Sequence, residues 1–156
     1  MKPATISEIK KTLFSLEKEE VVEHCLRLIK YKKENKELLN YLLFESSNKT
    51  VFLSKAKKEI ELLFEELNHA NAYLLKKGLR KILKLATKFA KHVGDDDFEV
   101  DVLLHFCQLF KKQITEAKKN FVLSNIYDIQ KKKIERIVAK LHEDLRYDYG
   151  LELENL

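Results

Sequence analysis

Two places in this 156-residue chain set a histidine close to a cysteine, Glu23-His24-Cys25 and His105-Phe106-Cys107, and such pairs are the raw material of zinc sites. Their spacing argues against a site. Adjacent residues on a helix point about 100° apart and residues two apart about 200°, so neither pair converges on one tetrahedral ion. Cys25 and Cys107 fall instead on apolar stripes, as small buried hydrophobes do. Asp95, Asp97, Glu99 and Asp101 alternate like the opening of a calcium loop, but Val100 stands where the loop needs glycine and Phe106 where it needs a bidentate glutamate. Capping of a helix start is the expected role of these aspartates. Neither Gly-x-Ser-x-Gly nor a Walker-type loop occurs, and the three glycines are scattered at expected helix borders. His69, His92 and His142 sit in no defining motif. No catalytic residue, metal ligand or cofactor is expected, and the chain reads as a non-enzyme.

A concentration of positive charge is the feature that does stand out. From Leu67 to Gly94 the chain runs 28 residues without an aspartate or glutamate, while carrying Lys76, Lys77, Arg80, Lys81, Lys84, Lys88 and Lys91. The whole protein has 30 basic and 25 acidic residues, a formal charge of +5; without those seven, 23 basic face 25 acidic. The basicity is therefore local, which matters more for partners than a diffuse excess does.

Plotted at 100° per residue, Lys77, Lys81, Lys84, Lys88 and Lys91 fall within about 80° of arc, with Arg80 and Lys76 on one shoulder. The opposite side holds Leu75, Leu79, Ile82, Leu83, Ala86, Phe89, Ala90 and Val93. Two readings follow. The lysine row is a solvated face balanced by Glu59, Glu61, Glu65 and Glu66 of the preceding helix, or it is an anion-facing surface. Lysines three and four apart repel by a few tenths of a kcal/mol per pair, a cost that a mixed-charge face avoids.

The elements that must carry this row read as helices throughout. One proline and three glycines among 156 residues leave little to punctuate turns, and 45% apolar with 35% charged residues is a globular composition. Thr5 and Glu8 have capping-box spacing and start a helix with Ile6, Ile9, Leu13 and Phe14 on its apolar side. Glu17, Glu19 and Glu20 suit the start of a second, carrying Val21, Val22, Cys25, Leu28 and Ile29. A joint near Lys33 to Asn35 precedes a third, with Leu38, Leu39, Leu42 and Leu43. Ser46-Ser47-Asn48 reads as a loop, followed by a helix from about Val51 to Leu67. The fifth occupies about Asn71 to Val93 and stops at Gly94; Gly78, mid-helix at the border between its two faces, is expected to admit another helix closely. A sixth contains Val100, Leu103, Leu104, Cys107 and Phe110. A final long helix is expected from Glu116 to Tyr147, with Phe121, Ile126, Ile134, Ile137, Val138, Leu141 and Leu145 inward, ended by Gly150 before a tail of residues 151–156.

The expected fold is all-α: about six to seven antiparallel helices stacked as hairpins in a single domain spanning 1–156, either as a compact bundle or as a short solenoid. The tract Cys25-Leu-Arg-Leu-Ile-Lys-Tyr-Lys-Lys-Glu-Asn-Lys-Glu-Leu-Leu-Asn-Tyr-Leu-Leu-Phe-Glu45 resembles one found in uncharacterised all-helical bacterial proteins. The resemblance covers the second and third helices and implies no activity; the helix-pair style is also similar to HEAT-like repeats.

Two cysteines are too few for a disulfide framework, and Met1-Lys2-Pro3-Ala4-Thr5 lacks the apolar stretch of a secretory signal, so a reducing cytoplasm is expected. No apolar run approaches the length that spans a bilayer, and no membrane association is expected. The function expected is a non-enzymatic helical interaction or scaffold module. Its cationic face, Lys77, Arg80, Lys81, Lys84, Lys88 and Lys91, would meet an acidic protein, or the chain would associate with itself. Sequence-independent nucleic-acid binding through the same row is the alternative, because neither interleaved aromatics nor a reading motif accompanies it.

Overall fold

The computed structural model describes residues 2–115 and 120–156, and among them every regular element is helical. Eight α-helices follow one another: α1 (Ile6–Ser15), α2 (Lys18–Tyr31), α3 (Lys33–Asn40), α4 (Lys49–Glu65), α5 (Ala72–Val93), α6 (Asp96–Gln113), α7 (Phe121–Val138) and α8 (Glu143–Glu154). A π turn, Tyr41–Glu45, continues α3. Two compact units divide the chain, residues 1–44 and 45–156. No helix among the described residues is long and apolar enough to cross a membrane.

In the first unit, Thr5 caps α1 reciprocally. Its hydroxyl oxygen accepts from the Glu8 backbone N–H, while the Glu8 carboxylate accepts from the Thr5 backbone N–H at 2.7 Å. Glu17 and Glu20 repeat the arrangement at the start of α2. Only Lys32 separates α2 from α3, and the Asn35 side chain donates to the Leu28 carbonyl at 2.8 Å, which holds the two helices as a hairpin. Val21, Cys25 and Ile29 of α2 are half-buried.

The second unit alternates direction from α4 to α7. Lys49 at the start of α4 meets Asp97 at the start of α6, so those two helices run parallel with α5 reversed between them. Lys133 near the end of α7 pairs with Glu99 near the start of α6, which makes α6 and α7 antiparallel. Besides its sequence neighbours, α4 packs on α6 and α5 on α7, the pattern of helical hairpins stacked in two layers. α6 is the centre of this packing, with Phe98, Val100, Val102, Leu103, Leu104, Phe106, Cys107 and Phe110 buried. Aromatic rings close the core at both ends. Phe52 stacks on Phe98 and meets Phe89 edge-on, while Phe64, Phe106, Phe110 and Tyr127 form a chain of rings at 5.3–6.1 Å.

Several expectations are corrected. The long final helix is two: it breaks over residues 139–142, where His142 caps the start of α8, and its expected start at Glu116 lies outside the described residues. Gly150 does not end a helix, since α8 continues to Glu154. Phe121 is 83% exposed and Leu145 38%, so neither is inward. The close neighbour of Gly78 is no helix but the Leu67 side chain from the α4–α5 connection, 2.5 Å from where a Cβ would stand. The tail folds back: the Leu156 backbone oxygen accepts from Lys111 Nζ at 2.6 Å and from Tyr127 Oη at 2.8 Å.

Candidate cationic interface

α5 is capped at both ends. The Asn71 side chain accepts from the Leu74 N–H at 2.9 Å; the Gly94 N–H donates to the Ala90 carbonyl at 2.8 Å, and its φ of 77° turns the chain left-handed out of the helix. Leu75, Leu79, Ile82, Ala86, Phe89 and Ala90 are buried, which fixes the rotation of the helix about its axis. Once that face is committed to the core, the opposite one has no choice but solvent. Lys77, Arg80, Lys81, Lys84 and Lys91 are exposed. Lys88 is half-buried, with its Nζ 5.8 Å from the centre of the Phe89 ring, within cation–π reach. The row from Lys77 to Lys91 covers about 21 Å at the helical rise per residue.

The acidic end of α4 does not neutralise this row. Glu61 turns the other way and sits 2.9 Å from His105 Nε2, while Glu59, Glu65 and Glu66 are exposed and make no ion pair with α5. Near the other end of α5, Asp95 and Asp97 both pair with Lys49, at 3.0 and 2.9 Å. Among the described residues, no carboxylate reaches ion-pair distance of Lys77, Arg80, Lys81, Lys84 or Lys91. α7 does pack beside α5, but of its three consecutive lysines Lys133 is taken by Glu99.

A second polar grouping was not anticipated, and it lies in the seam between α4 and α6. Asp97, Asp101 and His105 follow one another at four-residue spacing on α6, facing Lys49, Lys57 and Glu61 of α4. α8 brings Tyr149, whose hydroxyl donates to the Asp97 carbonyl at 3.3 Å. Asp97 is drawn below the ordinary carboxylate range: burial pushes it up, but the Lys49 ammonium and backbone N–H groups outweigh that. Lys49 is correspondingly raised by Asp97 and Asp95. Asp101 is raised, first by burial and then by the nearby Glu152 and Asp97 charges, against the pull of Lys57.

His105 is lowered by burial despite the attraction of Glu61. Its Nε2 lies 2.9 Å from Glu61 without an aligned hydrogen bond, so the contact becomes an ion pair only when the imidazole takes up a proton. The four-residue repeat of Asp97, Asp101 and His105 was present in the sequence as a signal. It was obscured because the aspartates alone are accounted for by capping. Asp95 holds the cap position of α6, yet its side chain makes no capping bond and points to Lys49 instead.

The remaining chemistry-bearing groups described are buried or dispersed. Burial pushes the Cys107 thiol up to about 12, far from the thiolate a nucleophile requires. Cys25 is half-buried on the other unit. Among the described residues, no three of the His, Cys, Asp and Glu side chains gather as a metal site would need. No protein-family model, curated protein or solved structure matches the chain.

Proposed function

We propose that this chain is a non-catalytic interaction module that docks an acidic protein surface on the outer face of α5. The observation that supports the reading is the row Lys77, Lys81, Lys84 and Lys91, with Arg80 beside it, which has no ion-pair partner among the described residues and lies exposed along a helix whose other face is core. Carboxylates lie close to both ends of α5, and they are either spent on Lys49 and His105 or left in solvent. A face that served solubility alone would gain by mixing signs, since like charges at three- and four-residue spacing cost a few tenths of a kcal/mol per pair. An acidic partner removes that repulsion on binding and is steered to the row by its field.

Nucleic-acid binding without sequence preference is the second reading, supported by the same row. On α5 itself Tyr73, at the first turn, is the one exposed aromatic, so the helix offers no run of rings for single-strand stacking.

Titrating a labelled glutamate-rich peptide and a labelled DNA duplex against the parent and against Lys77→Glu/Lys81→Glu/Lys84→Glu, at two salt concentrations, separates the readings. Peptide binding lost in the triple variant, with helicity unchanged, supports docking of an acidic protein. Duplex binding with a logarithmic salt slope of about −0.9 per phosphate neutralised supports the alternative. Binding to neither probe sinks both.

A further inference from the structure

Within the first unit, α2 carries an apolar strip that stays about half exposed. None of α1, α2 or α3 contains a buried residue. On α2, Val21, Cys25 and Ile29 are half-covered, while Val22 and Leu26 stand 48% and 46% exposed on one side of that stripe. At 100° per residue the positions next round the helix from Leu26 are Glu19, Lys30, Glu23 and Arg27, in that order. All four are exposed, and none has an ion-pair partner among the described residues. The edge is therefore an apolar strip bordered by charges that are acidic in the first half of the helix and basic in the second.

That polarity selects the occupant. A partner of one charge sign would satisfy half of the border and clash with the other half. An edge running from negative to positive is complementary to itself reversed, the condition for a two-fold symmetric contact. We infer that α2 pairs antiparallel with α2 of a second copy of this chain, through Val22 and Leu26. Setting Val22 against Leu26 of the second copy brings Glu19 level with Lys30 and Glu23 level with Arg27 to within two residues, about 3 Å along the axis. Residues 1–44 carry nine basic and seven acidic side chains, so no large net charge opposes the approach of two copies. Isolated helices of this length are marginal in water, and burial of the strip supplies stabilisation that the hairpin lacks alone. The pairing is independent of the α5 row, which lies on the other unit.

Sedimentation equilibrium of the full chain tests this directly, with a concentration-dependent dimer expected. Val22→Asp/Leu26→Asp should raise the dimer dissociation constant by about 100-fold or more, since two apolar contacts per copy are lost. Because that variant places acids on a hairpin of small core, two charge variants at exposed positions serve beside it: Glu19→Lys/Glu23→Lys and Arg27→Glu/Lys30→Glu. Each alone should be monomeric, and an equimolar mixture should form heterodimer, because the all-positive edge then meets the all-negative one. A monomeric parent overturns the inference, including a monomer whose α2 amides are protected from exchange by another part of the same chain. So does a dimer indifferent to both charge variants, or a mixture that stays monomeric.

Discussion

The two units differ in what they bury. Residues 45–156 contain all the buried hydrophobic side chains described except Tyr41, and seven of them, Ile60, Leu79, Val100, Val102, Phe106, Cys107 and Ile134, are sealed from solvent entirely. Residues 1–44 have equally regular helices, with reciprocal caps at the starts of α1 and α2, yet Ile6 and Phe14 are 86% and 81% exposed. Local signals for helix formation are thus as good where there is no core as where there is one. Capping and periodicity specify that a segment coils; the enclosure of its apolar face decides how firmly it is held.

The largest contrast should come from matched phenylalanines. Phe106→Ala removes a sealed ring between Phe64 and Phe110 and should cost about 3–5 kcal/mol in denaturant unfolding, whereas Phe14→Ala should stay within about 0.5 kcal/mol. Equal losses at both positions would abolish the distinction between the units.

Caps give a smaller contrast of the same kind. Asn71→Ala should lower global stability by about 1 kcal/mol, because α5 melts only with the core it belongs to. Thr5→Ala removes two bonds at the start of α1 and should reduce amide protection there while leaving the unfolding midpoint in place.

The smallest expected effect sharpens the comparison within the second unit, between the open α5 row and the half-buried α4–α6 seam. Burial holds the His105 imidazole below its ordinary value, so the unfolded chain takes up that proton first as pH falls. Stability present at neutral pH is therefore lost as the pH drops from about 6.5 toward the folded value of His105. His105→Asn should flatten that part of the stability curve, read by thermal unfolding between about pH 7 and pH 5.5. Asp101 acts with the opposite sign. Its raised value means the folded state keeps its proton longer, so acidification through its titration adds stability and a separate window is expected. An unchanged slope in His105→Asn would show that the seam is as solvated as the α5 row.

Legibility in the sequence followed the range of the interaction. Thr5 with Glu8, and Gly94 after a long amphipathic stripe, state their roles within a few residues, and the helix starts and stops they imply are present. The break between α7 and α8 was not legible, because Ile137, Val138 and Leu141 keep helical spacing across it and no proline or glycine marks the turn. Gly150 misled for the converse reason. A glycine ends a helix where the chain must turn left-handed, as at Gly94, and no such turn is required within α8. Asp95 was legible as the cap position of α6 but not as a partner of Lys49, 46 residues away.

The amphipathic character of α5 was settled by residue order, because a five-lysine row opposite an apolar arc follows from the 3.6-residue turn with no knowledge of neighbours. Whether that row is neutralised depended on the rotation and packing of α4, which no local pattern encodes. The packing aims Glu61 at His105 and leaves Lys77, Lys81, Lys84 and Lys91 without counter-charge among the described residues. Charge along a helix is a property of sequence. Charge compensation is a distance between side chains on different helices, and it exists only once the core has set where those helices lie.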